Sequence, residues 1–284
     1  MNILLDTLLH RVARVPYFLH VRHKRIKLTA KETYVFIHGL GDTADLWAGV
    51  ISRLPANVNY IAMDLVGFGD SPKPSRMTYG AKVQARSVLR TCLASGLFGP
   101  VTVVGHSLGA LVSVEFAKRY PLTARRLVLC SPPIYDTSYG RKTKNLQQGA
   151  LRRLYAELPN NPGIVVNAYA FGKKVHAVNQ SLQVTPETLP AFLSSLQASI
   201  VNQDTMKLIE KIKVPIVIIN GQFDVLTVGK VLQSIVAKHQ NMQLVTIPTA
   251  HTINNFYEQK IIEVLQGRIH KKRNTSRGTK GVSR

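Results

Sequence analysis

Acidic residues are scarce in this chain of 284 residues: 15 Asp and Glu stand against 37 Lys and Arg, a formal net charge of +22. The shortage is uneven. Residues 1–31 hold seven Lys and Arg against Asp6 alone, and residues 267–284 hold seven and no acid. More than half of the excess therefore flanks an ordinary core. A uniformly basic protein would suggest nucleic acid; basic ends on such a core read first as solvated segments. The tail has no interleaved aromatics and no nucleic-acid fold signature appears, so nucleic acid is not the expected partner. Cysteine is nearly absent too. Two thiols, Cys92 and Cys130, cannot form a disulfide framework, and both sit in apolar segments as reduced core thiols would. Charged residues are only 18% and hydrophobic ones 45%, which excludes a disordered chain. Long hydrophobic runs are missing. Val214–Asn220, broken by its proline, is far short of the ~20 residues of a membrane helix. Export features are missing as well: Asp6 comes early, the basic residues follow the first apolar run, and no Ala-x-Ala site occurs. A cytoplasmic location fits these absences, with association at a membrane surface left open.

What is present begins with Ile3, Leu4, Leu5, Leu8, Leu9 and Val12, spaced as on a helix, with His10, Arg11 and Arg14 between them. This predicts a short basic amphipathic helix over 2–14, ended by Pro16. It would pack on the body or, through residues 1–16, touch an anionic membrane. Tyr17–Leu28 alternates like a strand. Short apolar runs then recur at Tyr34–Ile37, Tyr60–Met63, Val101–Val104, Arg126–Leu129, Ile216–Ile219 and Gln243–Ile247. Each ends in a turn signal, and most lead into a helical pattern. Apolar strands separated by helices predict an α/β fold with a mostly parallel sheet covered on both faces. Between Pro133 and Pro186 the rhythm stops. Helical fragments over 146–158 and 162–171 replace it, with Arg141, Lys142, Lys144, Arg152, Arg153, Lys173 and Lys174 among them.

The chemistry concentrates at Gly105-His106-Ser107-Leu108-Gly109, between an apolar strand and the helical run Ala110–Ala117. This is a G-x-S-x-G elbow in its strand–turn–helix context. A bare match arises by chance in roughly one such chain in ten, so the context carries the reading. A serine hydroxyl is a poor nucleophile and needs a base oriented by an acid. Following the order serine, acid, histidine along the chain, the acid is Asp224, after the Ile216–Ile219 strand, and the base is His251, after the last strand. Asp136 and Asp204 are alternative acids. An oxyanion needs two donors. The Leu108 N–H follows the nucleophile, and the Leu40 N–H lies in His38-Gly39-Leu40-Gly41 after the first apolar run. His38 and His106 flank this machinery and read as structural. Gly39, His106, Trp47 and Phe171, with Leu40 and Leu108, are candidate substrate contacts.

These residues, together with Asp64-Leu-Val-Gly67-Phe-Gly69-Asp-Ser71-Pro72, resemble the α/β-hydrolase superfamily of the serine type over about 32–266. The resemblance implies an eight-stranded, mostly parallel sheet, a helical cap and no cofactor or metal. With the patterning above, this divides the chain into a basic N-terminal helix and strand (1–31), a core (32–133 and 187–266), a cap (134–186) and a disordered basic tail (267–284). Relatives that open epoxides or remove halides use Asp at the elbow, which Ser107 does not match. The expected substrate is a small-molecule ester or thioester. Carbon–carbon cleavage of a diketone-type acid, peracid formation, a lipid ester at a membrane surface, and a binding role without catalysis are the alternatives. The cap's basic residues would either favour an acid group on the substrate or simply be solvated, and a purely apolar substrate stays open. The oligomeric state has no signature in the sequence.

Overall fold

The structure, a computed structural model, describes residues 9, 10, 13, 15–75, 77–135, 146–175 and 178–268. The helix expected over 2–14 and the tail over 267–284 lie outside the described residues, apart from Leu9, His10, Ala13, Gly267 and Arg268. Asp136, Arg141, Lys142 and Lys144 lie outside them too.

Seven strands form one sheet: β1 (Val21–Arg25), β2 (Glu32–Ile37), β3 (Val58–Met63), β4 (Val101–His106), β5 (Ala124–Cys130), β6 (Ile216–Gly221) and β7 (Met242–Ile247). Their order is β1-β3-β2-β4-β5-β6-β7, with β1 antiparallel to β3 and every other pair parallel. The helices are α1 (Ala48–Ser52), α2 (Ala81–Ala94), α3 (Leu108–Arg119), α4 (Leu146–Glu157), α5 (Pro162–Lys174), α6 (Leu189–Ser195), α7 (Thr205–Ile209), α8 (Gly229–Ala237) and α9 (Asn255–Leu265). A 3₁₀ turn spans Ala44–Trp47 and a π-helical turn spans Leu196–Val201.

The strands are apolar throughout because both of their faces are buried. Val35, Ile37, Val103, Leu127 and Leu129 enter one core with α2, α3 and α8. Their neighbours Phe36, Val104, Val128 and Cys130 enter a second core with Trp47 and α9. Period-two side chains divided between two apolar layers leave no polar alternation to read. Cys92 and Cys130 are buried and unbridged, and burial raises the Cys92 thiol to about 12.

The sheet has seven strands among the described residues where eight were expected. The reason lies at its antiparallel edge. Upstream of β1 the pairing goes one step further, Asp64 N–H donating to the His20 carbonyl (2.9 Å), and the backbone then leaves the sheet. Tyr17 N–H donates to Ser87 Oγ (3.2 Å) and Leu19 N–H to Thr91 Oγ1 (2.9 Å), both on α2. His20 N–H donates to Ser71 Oγ (2.8 Å). Side-chain acceptors thus take donors that a sheet neighbour would otherwise satisfy. β1 in turn anchors β3: Arg22 Nε lies 2.8 Å from both carboxylate oxygens of the fully buried Asp64. Asp64 also accepts from the N–H groups of Ala44 and Asp70.

Candidate active site

Parallel strands place their C-terminal ends along one edge, and the loops leaving that edge converge. Here β2 leads to His38–Asp42, β4 to Ser107, β5 to Ser131, β6 to Asp224 and β7 to His251. Ser107 sits at φ 52°, ψ −117°, a backbone state that non-glycine residues rarely adopt. Its own N–H donates to the Cys130 carbonyl (2.9 Å), which pins the elbow to β5. The flanking glycines are a packing requirement. A Cβ on Gly105 would strike the Gly109 carbonyl and Ser113 Oγ, and one on Gly109 would strike the Ile37 and His38 carbonyls. Helix α3 could then not close on the sheet.

His251 Nδ1 lies 2.8 Å from Asp224 Oδ2. The Asp224 carboxylate also accepts from Ser131 Oγ and, through Oδ1, from Leu226 N–H at 2.9 Å. Ser131 Oγ lies 2.6 Å from the Tyr257 hydroxyl, so a chain of hydroxyls runs from α9 to the carboxylate. Burial pushes the Asp224 carboxyl up, but the His251 hydrogen bond and charge, with Ser131 and the Leu226 N–H, outweigh it and hold the group below the usual carboxylate range. An ionised acceptor at Nδ1 leaves the proton on that nitrogen and the lone pair on Nε2.

Ser107 and His251 line the same cavity of about 250 Å³. Gly39, Leu40, Asp42 and His106 contribute from the loops. Tyr155, Leu158, Val178, Asn179, Leu182, Phe192, Leu196 and Ile200 cover it, and Leu226 and Thr252 complete the wall. The covering residues run beyond the expected boundary at 186, because α6 and the π-helical turn belong to the same roof. Leu108 is the first residue of α3, so its N–H has no intrahelical acceptor and is available beside Ser107.

The two flanking histidines are structural by geometry. His38 Nε2 accepts from Leu65 N–H (2.8 Å), so Nδ1 carries the proton donated to the Gly39 carbonyl (2.7 Å). His106 Nε2 donates to the His251 carbonyl (2.9 Å) and holds the histidine loop. Burial, with His251 close by, lowers the His106 pKa to about 3, so its ring is neutral. Its Nδ1 is buried without a partner, facing the Cα of Gly39.

Three expected substrate contacts are corrected. Trp47 is fully buried against Phe36 with ring centroids 5.3 Å apart, because the 3₁₀ turn directs it into the core under β2. Phe171 lies on the outer side of α5 and is 67% exposed. The Leu108 side chain is in the core and only its N–H faces the elbow. Asp204, the alternative acid, is exposed before α7 and away from the cavity. Sequence reasoning missed Ser131, Tyr257, Asp42 and Asn179. Ser131 had a readable signal, since it opens the turn after β5 just as Ser107 does after β4; its φ is 45°. Tyr257 had none. Among the described residues, His20, Asp64 and Asp70 bring three potential metal ligands within 4.8 Å of one another, but Arg22 already engages both carboxylates.

The model of the family described as alpha/beta hydrolase fold matches residues 34–256, more than half of the chain. The chain is 29% identical over 116 residues to Probable lysophospholipase BODYGUARD 1 of Arabidopsis thaliana, covering 39% of this chain and 25% of that protein. It is 40% identical over 97 residues to an uncharacterized protein of Mycobacterium tuberculosis, covering 34% and 28%. The aligned part thus spans about a quarter of these relatives' length. Among solved structures, an esterase from Exiguobacterium antarcticum matches with a TM-score of 0.69 and 16% identity, over 89% of this chain and 98% of that one. An epoxide hydrolase from Bacillus megaterium matches with a TM-score of 0.62 and 20% identity, over 88% and 95%. At those identities the likeness concerns the fold. With the family model spanning most of β2, all of β3–β7 and the loops that hold Ser107, Asp224 and His251, this chain belongs to the alpha/beta hydrolase fold family.

Proposed function

We propose that the protein is a serine hydrolase that cleaves a small carboxylic ester or thioester through an acyl-enzyme on Ser107. The observation that carries this is the 2.8 Å His251–Asp224 pair opening into one apolar cavity with Ser107 at its strained elbow. In this reading Ser107 Oγ attacks the acyl carbonyl as His251 Nε2 takes its proton, and Asp224 stabilises the imidazolium. The Leu40 and Leu108 N–H groups hold the oxyanion. His251 then protonates the leaving alkoxide or thiolate, and a water activated by the same nitrogen releases the acid and restores Ser107. Among the described residues no Lys or Arg lines the cavity, and its wall there is mostly apolar, which suits a neutral ester better than a diketone-type acid. An esterase among the structural neighbours and a plant relative named as a probable lysophospholipase agree with ester chemistry.

The test is hydrolysis of p-nitrophenyl esters from acetate to decanoate by the wild type and by Ser107→Ala. A cavity of 250 Å³ lies below the usual ligand-site range, so the optimum is expected at the short end of the series. Ser107→Ala should lose roughly 10⁴-fold or more in kcat. A wild type inert on every ester, or a Ser107→Ala protein that keeps its rate, would sink the reading.

One observation favours a lipid ester met at a membrane surface. On α5 and its C-cap Val175, the residues Ile164, Ala168, Phe171 and Val175 follow helical spacing on an exposed stripe, and Lys173 and Lys174 lie beside it with no acid in the helix. A bare apolar stripe with flanking cations suits an anionic bilayer. Phe171→Glu should weaken cosedimentation with phosphatidylglycerol vesicles while leaving turnover of p-nitrophenyl butyrate unchanged. Equal binding by both proteins counts against it.

A further inference from the structure

The loops bearing Leu40 and His251 leave β2 and β7, and three strands, β4, β5 and β6, separate these in the sheet. From the sheet, His106 on β4 donates to the His251 carbonyl and faces Gly39, but it makes no hydrogen bond to the Leu40 loop. A side chain from the cover hydrogen-bonds both loops. Asn179 Nδ2 donates to Asp42 Oδ2 (2.8 Å), and Asn179 Oδ1 accepts from the Ile253 N–H (3.0 Å). Asp42 stands two residues after Leu40, and Ile253 stands two residues after His251. The amide can be held in only one orientation, since a carboxylate accepts and a backbone N–H donates. The same segment grips the first loop twice more: Ser181 Oγ donates to Asp42 Oδ1, and Gln183 N–H donates to the Gly41 carbonyl at 2.7 Å. Asp42 is 1% exposed and Asn179 lines the cavity, so the tie lies inside the roofed site.

We propose that Asn179 is a positioning residue: it locks the Leu40 oxyanion loop and the His251 loop into one arrangement, so that the cover's seating sets the distance between oxyanion donor and base. This rests on the ester-hydrolase reading above. Acyl transfer requires the carbonyl oxygen at Leu40 and the proton acceptor at His251 to be in place together, and a misplacement of about 1 Å costs on the order of 100-fold in rate. The roof is inserted between β5 and β6, so a substrate beneath it and the alignment of the two loops share one element. Asp42 is held by donors on both oxygens, and burial pushes its carboxyl up while Ser181 and Asn179 oppose that. Losing Asn179 leaves Asp42 Oδ2 and the Ile253 N–H short of a partner at the same time.

The experiment compares full-length wild type, Asn179→Leu, Asn179→Asp and the double variant Asp42→Asn/Asn179→Asp. The readouts are kcat and KM on p-nitrophenyl butyrate, the rate of Ser107 labelling by a fluorophosphonate, and the melting temperature. Asn179→Leu should lower kcat roughly 10- to 100-fold, with KM moving less than about threefold and labelling slowing in proportion. Asn179→Asp sets two carboxylates face to face and should be at least as slow. The double variant restores one donor opposite one acceptor, and should recover most of the kcat lost by Asn179→Asp. The proposal is overturned if Asn179→Leu keeps its kcat, if its loss only tracks the folded fraction, or if the double variant is no faster than Asn179→Asp. A wild type that labels but hydrolyses no ester removes the ester reading and leaves the labelling rates to decide on Asn179. A wild type that does neither removes both.

Discussion

At the scale of single residues, the strongest arrangement is the hydroxyl chain behind Asp224. Tyr257, Ser131 and the Leu226 N–H supply polar contacts to a carboxylate that burial alone would push toward its neutral form. The group is held below the usual range, so it stays ionised across the neutral and mildly acidic range. Ser131→Ala removes a charge-assisted donor. We expect kcat to fall about tenfold, as the loss of one such bond implies, and the Asp224 carboxyl to rise toward its ordinary value. Turnover of p-nitrophenyl butyrate checks the first and a carboxyl-carbon NMR titration of Asp224 the second; an unmoved titration would mean Ser131 does not hold the carboxylate. Ser107, Asp224 and His251 were legible because a strand end, a turn residue and a chain order identify them. Asn179 and Tyr257 were not. Each acts through a partner more than 70 positions away in the chain, and no local pattern announces such a contact.

At the scale of elements, the short antiparallel β1 does more than extend the sheet. Its Arg22 satisfies Asp64 at the end of β3, and Asp64 in turn receives the N–H groups that begin the 3₁₀ turn and shape the Gly67–Ser71 loop. Burial raises the Asp64 carboxyl, yet the Arg22 hydrogen bond and the two N–H donors outweigh it and hold it below its ordinary value. A depressed carboxyl stabilises the fold fully above its unfolded pKa of about 3.9, and that contribution is lost as pH falls through the lower folded value. Arg22→Ala should raise the folded value, so the acid-unfolding midpoint should move to higher pH. Circular dichroism against pH would show it, and an unchanged midpoint would place Asp64's stability elsewhere. The missing eighth strand belongs to this scale too. Tyr17 and Leu19 alternate correctly for a strand, but Ser87 and Thr91 on α2 meet their N–H groups first. Periodicity reports which face is buried and not which acceptor a backbone donor will find.

At the scale of the whole molecule, a net charge of +22 acts over distance, while among the described residues no Lys or Arg lines the cavity. The two properties therefore separate. Attraction to an anionic vesicle should fall steeply as salt rises from about 50 to 500 mM, because the Debye length shrinks from over 10 Å to a few ångströms. Turnover of a neutral ester in solution should hardly change over the same range. Cosedimentation and esterase rate measured in parallel give the test; a salt-sensitive rate on the neutral ester would mean that charge reaches the site. Among the described residues no helix is long and apolar enough to cross a membrane.

The sequence by itself determined the α/β class, the six parallel strands, the elbow at Ser107 and the order in which Asp224 and His251 follow. Those features are written in short-range patterns: burial on both strand faces, glycines where helix and strand touch, and turns at strand ends. Only the tertiary structure decided that Trp47 belongs to the core, that Phe171 faces outward, and that Lys173 and Lys174 lie away from the cavity wall. It alone joined Asp42, Asn179 and Ile253. A side chain's neighbours across the fold depend on how whole layers pack, and that packing is a property of all the elements together.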